Sequence, residues 1–258
     1  MYSEERQDKI EQYILKNDSA SVQELSSLFS VSEVTIRKDL EELQKGNRII
    51  RTHGGAMIKY SNSAQFYFQD LKVKCPFEKK IIARKAMEYI CDGDVILLDG
   101  STTTNELAIA IAASSLKDLT IVTTSLSVAM LFSDKEHFPI YLIGGSLNKK
   151  MNTLCGAYAE QQIASYSVDK AFIGINGVDP YFGFSASELS EVAMKNAIFR
   201  SCSQCFIMAD HTKFDKRYFL KVFDLSDKIC RLITDDRPDL ISYEEYESRI
   251  PLVRVKTH

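Results

Sequence analysis

The chain has 258 residues, 45% hydrophobic and 26% charged, ordinary globular values that exclude wholesale disorder and suggest one or two domains. Its 32 Lys and Arg against 35 Asp and Glu leave a net charge of −3, which excludes a polybasic coat and requires any DNA-binding charge to be local. The longest apolar run, 107–113, is far short of the roughly 18 residues of a membrane span, and six cysteines are too sparse for a disulfide scaffold.

The first residues, Met1-Tyr2-Ser3-Glu4-Glu5-Arg6, are charged and lack the apolar stretch of a signal peptide, so the expectation is a cytoplasmic protein with reduced thiols. Apolar residues then recur at helical spacing: Ile10, Tyr13 and Ile14; Leu25, Leu28 and Phe29; Ile36, Leu40 and Leu43. Ser21-Val22-Gln23-Glu24 is a capping box, in which hydroxyl and carboxylate reciprocally satisfy the free amides of a helix start. That helix ends near Phe29, and Ser32 caps a second one running to about Gln44. Two helices joined by so short a turn predict a helix-turn-helix, its second helix available to a major groove.

Projected around that helix, Ile36, Leu40 and Leu43 share one side, while Val34, Arg37, Lys38 and Glu41 lie around the other. Helix spacing alone equally fits a small oligomerisation head with a solvated polar face. The segment beyond the helix favours DNA: after Gly46, the stretch Arg48 to Ala56 alternates and turns like a β-hairpin wing. Between Ile36 and Lys59 six basic residues face three acids. Ser32 and Thr35 suit phosphate contacts, Arg37 and Lys38 base edges or phosphates, and Arg48, Arg51 and His53 phosphates or the minor groove. Val34 completes the exposed face. Residues 58–76 mix polar and aromatic residues without clean periodicity and read as a linker, possessing a packed patch if Phe66, Tyr67 and Phe68 find partners.

From Asp94 onward β-branched runs alternate with helical stretches. The runs are Val95–Leu98, Leu119–Val122, Ile140–Ile143, Ala171–Ile175, Cys205–Met208 and Ile229–Ile233; the helices between them include Glu106–Ala113, Ser127–Phe132, Tyr158–Ala164 and Ser187–Phe199. This order predicts an α/β, Rossmann-like, mostly parallel sheet. The expected division is 1–57 for the DNA-binding domain, 58–76 for the linker and 77–258 for a sensing and oligomerisation domain. Polar turns follow the strands: Asp99-Gly100-Ser101-Thr102-Thr103, then Thr124, Gly145 and Asn176. Glycine permits the tight turn, and hydroxyls with free helix amides make an anion cradle. In a parallel sheet all these turns lie where ligands bind. Lys195 and Lys213 offer positive charge, and Asp210 stands at a strand's end.

Val31-Ser32-Glu33-Val34-Thr35-Ile36-Arg37-Lys38-Asp39-Leu40 followed by Arg51-Thr52-His53-Gly54-Gly55-Ala56 resembles the signature of the DeoR-type winged helix-turn-helix. Asp92-Gly93-Asp94, the Asp99–Thr103 loop, Thr123-Thr124-Ser125, Gly144-Gly145 and Ala209-Asp210-His211-Thr212-Lys213-Phe214 resemble successive landmarks of that family's sensor domain. The loop reads Asp-Gly-Ser-Thr where the family more often has Gly-Thr-Thr, and Leu71 stands near a common Arg. The resemblance implies a transcription regulator, usually a repressor of sugar or nucleoside metabolism released by a phosphorylated metabolite; the expectation here is a repressor of carbohydrate metabolism genes relieved by a phosphorylated sugar. Because one recognition helix reads too few bases and such helices pair across half-sites about one helical turn apart, a homodimer or homotetramer on operator DNA is expected.

The alternative is an enzyme of sugar-phosphate isomerase or deaminase type with a regulatory head, since the sensor fold resembles ribose-5-phosphate isomerase. That enzyme's Asp-Gly-Ala-Asp-Glu motif is matched here only by Asn176-Gly177-Val178-Asp179-Pro180, and an amide cannot serve as a carboxylate base. No catalytic residue is therefore expected. Cys202-x-x-Cys205 has no second cysteine pair or matching His pair, and the four histidines lack ligand spacing, so neither a metal nor a cofactor is expected.

Overall fold

The computed structural model describes residues 3–17, 19–46, 49–52, 54–58, 68–226 and 230–256. They form two compact units, 1–61 and 62–258. The first contains α1 (Ser3–Asn17), β1 (Ser19–Ser21), α2 (Val22–Phe29), α3 (Glu33–Lys45), β2 (Ile49–Thr52) and β3 (Gly55–Ile58).

The expected capping box starts α2: Ser21 Oγ accepts from the Glu24 amide, and Glu24 accepts from the Ser21 amide. Ser30 ends the helix in the left-handed region, φ 52°, and the Val31 amide returns to Ser26 O. Ser32 Oγ then accepts from the Thr35 amide to cap α3. The fold is a winged helix-turn-helix, as the spacing predicts. Ile10, Ile14, Leu25, Ile36, Leu40 and Leu43 fill its core, but Leu28 is 51% exposed. At about 100° per residue, Val22 and Phe29 rotate to one side of Leu25 and Leu28 to the other, so an eight-residue helix cannot bury all four. The wing β2–β3 carries a third antiparallel strand, β1, which sequence patterning missed. That strand explains one glycine: a Cβ on Gly55 would lie 2.1 Å from the Ala20 carbonyl oxygen, so only glycine lets β1 approach.

The second unit begins with α4 (Phe68–Val73) and α5 (Pro76–Met87), then β4 (Val95–Leu98), α6 (Thr102–Ala112), β5 (Thr120–Thr123), α7 (Leu126–Phe132) and β6 (Ile140–Leu142). A hairpin of β7 (Ser146–Asn148) and β8 (Thr153–Cys155) precedes α8 (Ala157–Ala164), β9 (Val168–Gly174), β10 (Gly177–Asp179), β11 (Gly183–Ala186) and α9 (Leu189–Ser201). The chain closes with β12 (Cys202–Met208), β13 (Leu220–Phe223), β14 (Cys230–Asp235), α10 (Glu244–Glu247) and β15 (Leu252–Val255). Part of the expected linker 58–76 is thus helix: Phe68 is buried, and its amide donates to Lys150 O. Residues 59–67, with Phe66 and Tyr67, lie outside the described residues.

Seven parallel strands are ordered β15-β14-β12-β9-β4-β5-β6. One apolar cluster joins the sheet to α5, α6 and α7, and another joins its opposite face to α8 and α9. The chain runs outward from β4 through β5 to β6, then returns to place β9 on β4's other side. The strand order therefore reverses between β4 and β9, the point where open α/β sheets leave a crevice beyond their strand ends. Among the described residues no helix is long and apolar enough to cross a membrane.

Candidate functional site

On the first unit the exposed face of α3 presents Val34, 76% exposed, with Ser32, Arg37 and Lys38, while Thr35 is half-buried and hydrogen-bonded to Ser32. Arg51 is exposed on β2; Arg48 and His53 lie outside the described residues. Asp39, on the same helix, points the other way. It is 2% exposed and takes Arg6 Nε at 2.6 Å and a second Arg6 nitrogen at 3.2 Å, together with Gln7 at 3.2 Å and Ser3 at 3.3 Å. The exposed face of α3 is thus positioned by a buried ion pair to α1 that spacing did not reveal.

In the second unit, a cleft open to solvent lies beyond the ends of β4 and β5. Asp99, Gly100, Ser101, Thr124 and Lys195 line it together with the β7–β8 hairpin and the first turns of α9. Its floor is an ion network. Lys195 Nζ, on a side chain 6% exposed, stands 2.9 Å from Asp99 and 3.3 Å from Glu191. Asp99 is saturated: one oxygen accepts from the Ser101 amide and Thr104 Oγ1, the other from the Gly174 amide and Lys195. The Asn176 amide nitrogen, in the orientation that satisfies its neighbours, lies 3.1 Å from both Glu191 oxygens. Burial pushes the Glu191 carboxyl above the ordinary range, and Lys195 pulls against it. Burial also works against the Lys195 ammonium, but Asp99 and Glu191 together raise it above an ordinary lysine.

Ser101 caps α6 through its hydroxyl, leaving the Thr102 and Thr103 amides without an acceptor among the described residues. Thr102 and Thr103 themselves are nearly buried in that first turn and do not line the cleft. Gly100 has a close neighbour: a Cβ there would fall 1.8 Å from Thr153 Cγ2 on the hairpin. The hairpin is tied down by the Leu154 amide on Thr124 O, at 2.8 Å, and by Asn152 Nδ2 on Ser127 Oγ, at 2.8 Å. Gly145 shapes the entry to this hairpin, φ 147°, outside the cleft lining.

Asp210 and Lys213 follow β12 and do not line the cleft. Asp210 accepts from the amide and hydroxyl of Thr212. Burial raises its carboxyl, but Lys213, Thr212 and Lys79 together hold it below the ordinary carboxylate range. Lys79, buried on α5, donates to the Leu71 and Lys74 carbonyls, and burial lowers its ammonium. Beside them His211 Nδ1 lies 2.6 Å from Asp235 Oδ2, and its amide donates to Oδ1 at 2.7 Å. Burial disfavours the imidazolium, yet the Asp235 bond and charge outweigh it and lift His211 above 6.5. A raised value means that this pair's stabilisation is fully present below pH 6.5 and lost as pH rises through the folded value. Urea unfolding should therefore show a larger gap between wild type and His211→Asn at about pH 5.5 than at about pH 8.5; an equal gap would contradict the assignment.

Sequence reasoning missed the hairpin wall (Asn148, Met151, Thr153), Glu188, Glu191 and Lys79. Only Glu191 carried a local signal, its i,i+4 spacing to Lys195. Cys202 begins β12 at the end of α9, and Cys205 faces Cys230 across parallel strands; all are free thiols.

Residues 75–236 match the DeoR C terminal sensor domain, and residues 6–62 match the DeoR-like helix-turn-helix domain. The chain is similar to the transcriptional repressor GlcR of Bacillus subtilis strain 168, 35% identical over 240 residues that cover 93% of this chain and 91% of GlcR. It is also similar to the glycerol-3-phosphate regulon repressor of Escherichia coli K12, 33% identical over 238 residues, 92% of this chain and 93% of that repressor. Among solved structures, ribose 5-phosphate isomerase A from Neisseria gonorrhoeae is similar at 17% identity and a TM-score of 0.40, over 54% of this chain and 53% of that one.

Proposed function

This chain belongs to the DeoR family of transcriptional regulators, and from that premise we propose that it is a cytoplasmic, homo-oligomeric repressor of carbohydrate genes, released from operator DNA by a phosphorylated sugar. The observation that carries the effector reading is the start of α6 at the β4–β9 crossover, where the Thr102 and Thr103 amides have no acceptor among the described residues and the preceding Asp99, Gly100 and Ser101 line the cleft. Such a terminus favours a phosphate through free N–H donors and the helix dipole. Ser32, Val34, Thr35, Arg37, Lys38 and Arg51 are the proposed DNA contacts among the described residues, with Arg48 and His53 beyond them. Asp99, Gly100, Ser101, Thr102, Thr103, Thr124, Asn176 and Lys195 frame the proposed effector site, with Asp210 and Lys213 beside it and Gly145 holding its hairpin.

Sensing without turnover is supported by the groups at the end of β9. Asn176 occupies a place where an isomerase would need a carboxylate, and its amide engages Glu191. Asp179 is held by Arg217 Nε at 2.5 Å and by the Tyr181 and Phe182 amides, so it serves the β10–β11 turn instead of accepting a substrate proton.

Release requires the ligand to prefer the DNA-incompetent state, and by linkage operator DNA must weaken the ligand by the same factor. Fluorescence anisotropy on the chain's own promoter tests both halves. Affinity should fall with salt at a slope near −0.9 per phosphate contacted. Ser101→Asp keeps a carboxylate able to cap α6 but sets negative charge against the phosphate. It should abolish release by the inducing sugar phosphate and leave operator affinity unchanged. A variant that still releases would move the phosphate subsite elsewhere.

A further inference from the structure

Helix α3 buries Ile36, Asp39, Leu40 and Leu43 on one side. At about 100° per residue, the line opposite that core is Val34, Lys38, Glu41 and Lys45, all of them exposed. The two halves of this line differ in charge. Lys45 is taken up by Glu42 at 2.9 Å and Glu41 at 3.9 Å, so the C-terminal half sets two acids against one base and repels a phosphate backbone. The N-terminal half has the positive end of the helix dipole and Lys38, which stands outside the ion pairs of this helix among the described residues. It is the half that can approach DNA.

The polar groups of the leading turn bond one another. Ser32 Oγ accepts from the Thr35 amide and shares a hydrogen bond with Thr35 Oγ1 at 2.9 Å, and Arg37 reaches back to Glu33 at 3.4 Å. Val34 projects from the same turn and is 76% exposed. Tyr13, Phe29 and Val31 pack on the margin of the unit's apolar core, and Val34 is not among them. A β-branched side chain is also a weaker helix former than a straight-chain one, so neither packing nor helix propensity accounts for valine here.

A side chain without donor or acceptor has one favourable partner on the floor of a major groove. Purine N7 and O6, the adenine and cytosine amino groups and thymine O4 all require hydrogen bonds, and valine laid against them displaces water without replacing it. The thymine C5-methyl is apolar and protrudes into the same groove. We infer that Val34 is a base-reading residue, packing on the C5-methyl of one thymine in each operator half-site and so selecting T·A at that position. The inference rests on the reading of α3 as the DNA-contacting helix and goes beyond it by naming the base and the atom.

The test uses the full chain and a preferred duplex selected with it from a random-sequence library. Each thymine of the selected site is replaced in turn by deoxyuridine, which removes the methyl and keeps every hydrogen-bonding group of the pair. Fluorescence anisotropy should find one position per half-site at which uracil weakens binding about fourfold, the effect of one buried methyl-sized group. Val34→Ala should weaken binding to the unmodified duplex by a similar factor, and uracil at that position should then cost nothing more, because the two changes remove the same contact. Wild-type binding indifferent to uracil at every position would overturn the inference and leave α3 as the DNA-contacting helix; that arm needs no variant. A uracil penalty that persists in Val34→Ala would assign the methyl to another side chain and overturn the role of Val34. Failure of the library to enrich any sequence would overturn the reading of α3 itself and this inference with it.

Discussion

Arg6→Ala is expected to remove about 3–5 kcal/mol from the stability of the N-terminal unit, the loss seen when a buried pair is deprived of one partner. The reason is the carboxylate left behind. Asp39 is 3% exposed at its side chain, and without Arg6 it keeps, among the described residues, Gln7 at 3.2 Å and Ser3 at 3.3 Å, two neutral donors. Exposed pairs on the same unit, Lys9 with Glu5 and Lys45 with Glu42, should contribute far less, because solvent screens them. Because Asp39 lies on α3 next to Arg37 and Lys38, loss of its anchorage should also shift the proposed DNA-contacting face, and operator binding should weaken with stability. Replacing both partners with apolar residues, Arg6→Met with Asp39→Leu, should recover most of the stability, since neither charge is then stranded. Chemical denaturation of the three proteins, followed beside operator binding, checks this. A cost below about 1 kcal/mol for Arg6→Ala would place the pair with the exposed ones.

The contrast between Asp39 and Leu28 marks where sequence reading stops. Capping residues, Ser21 with Glu24 and Ser32, act on amides two or three positions away, so their roles are written locally and the helix starts follow. Burial depends on what a helix is packed against. Asp39 looks like another charge on a polar helix until α1 brings Arg6 to it, and Leu28 looks like core until α3 fixes which side of α2 faces inward. The same division runs through the second unit. The parallel strands β4, β5, β9 and β12 are visible as β-branched runs because both their faces are covered. Short antiparallel strands such as β7, β8, β10 and β11 are only three or four residues long and depend on long-range partners, so periodicity gives no warning of them. The turn at Asp99-Gly100-Ser101 was legible from its own residues, whereas its neighbours across the cleft, Thr153 and Glu191, arrive through the hairpin and α9. Asp210 and Lys213 were visible as a strand-end motif, but their association with Lys79 depends on how α5 packs against the sheet.

Lys195→Met should have the largest effect in the second unit, a loss of about 3–5 kcal/mol at neutral pH, because it strands two carboxylates. Asp99 keeps the Ser101 and Gly174 amides and the Thr104 hydroxyl, three neutral donors, but loses its counter-charge. Among the described residues Glu191 keeps Asn176. In wild type, burial already sets the Glu191 carboxyl above its ordinary value while Lys195 pulls it down, so removing the ammonium moves it further up. A carboxyl whose folded value is raised favours the folded state below its unfolded value and loses that contribution as pH rises through the folded one. The deficit of Lys195→Met against wild type should therefore shrink at about pH 5, where Glu191 can take up a proton, and widen towards about pH 8. Urea denaturation across that range reads it directly, and a deficit that does not change with pH would mean that the carboxylates find other partners. The network also ties β4 to α9 through Lys195 and to β9 through the Gly174 amide, the two sides of the crevice at the strand-order reversal. Loosening it should abolish the response to the sugar phosphate before it affects operator affinity, because Arg37, Lys38 and Arg51 belong to a separately packed unit. Loss of operator affinity in step with loss of the effector response would show instead that the network's integrity governs both.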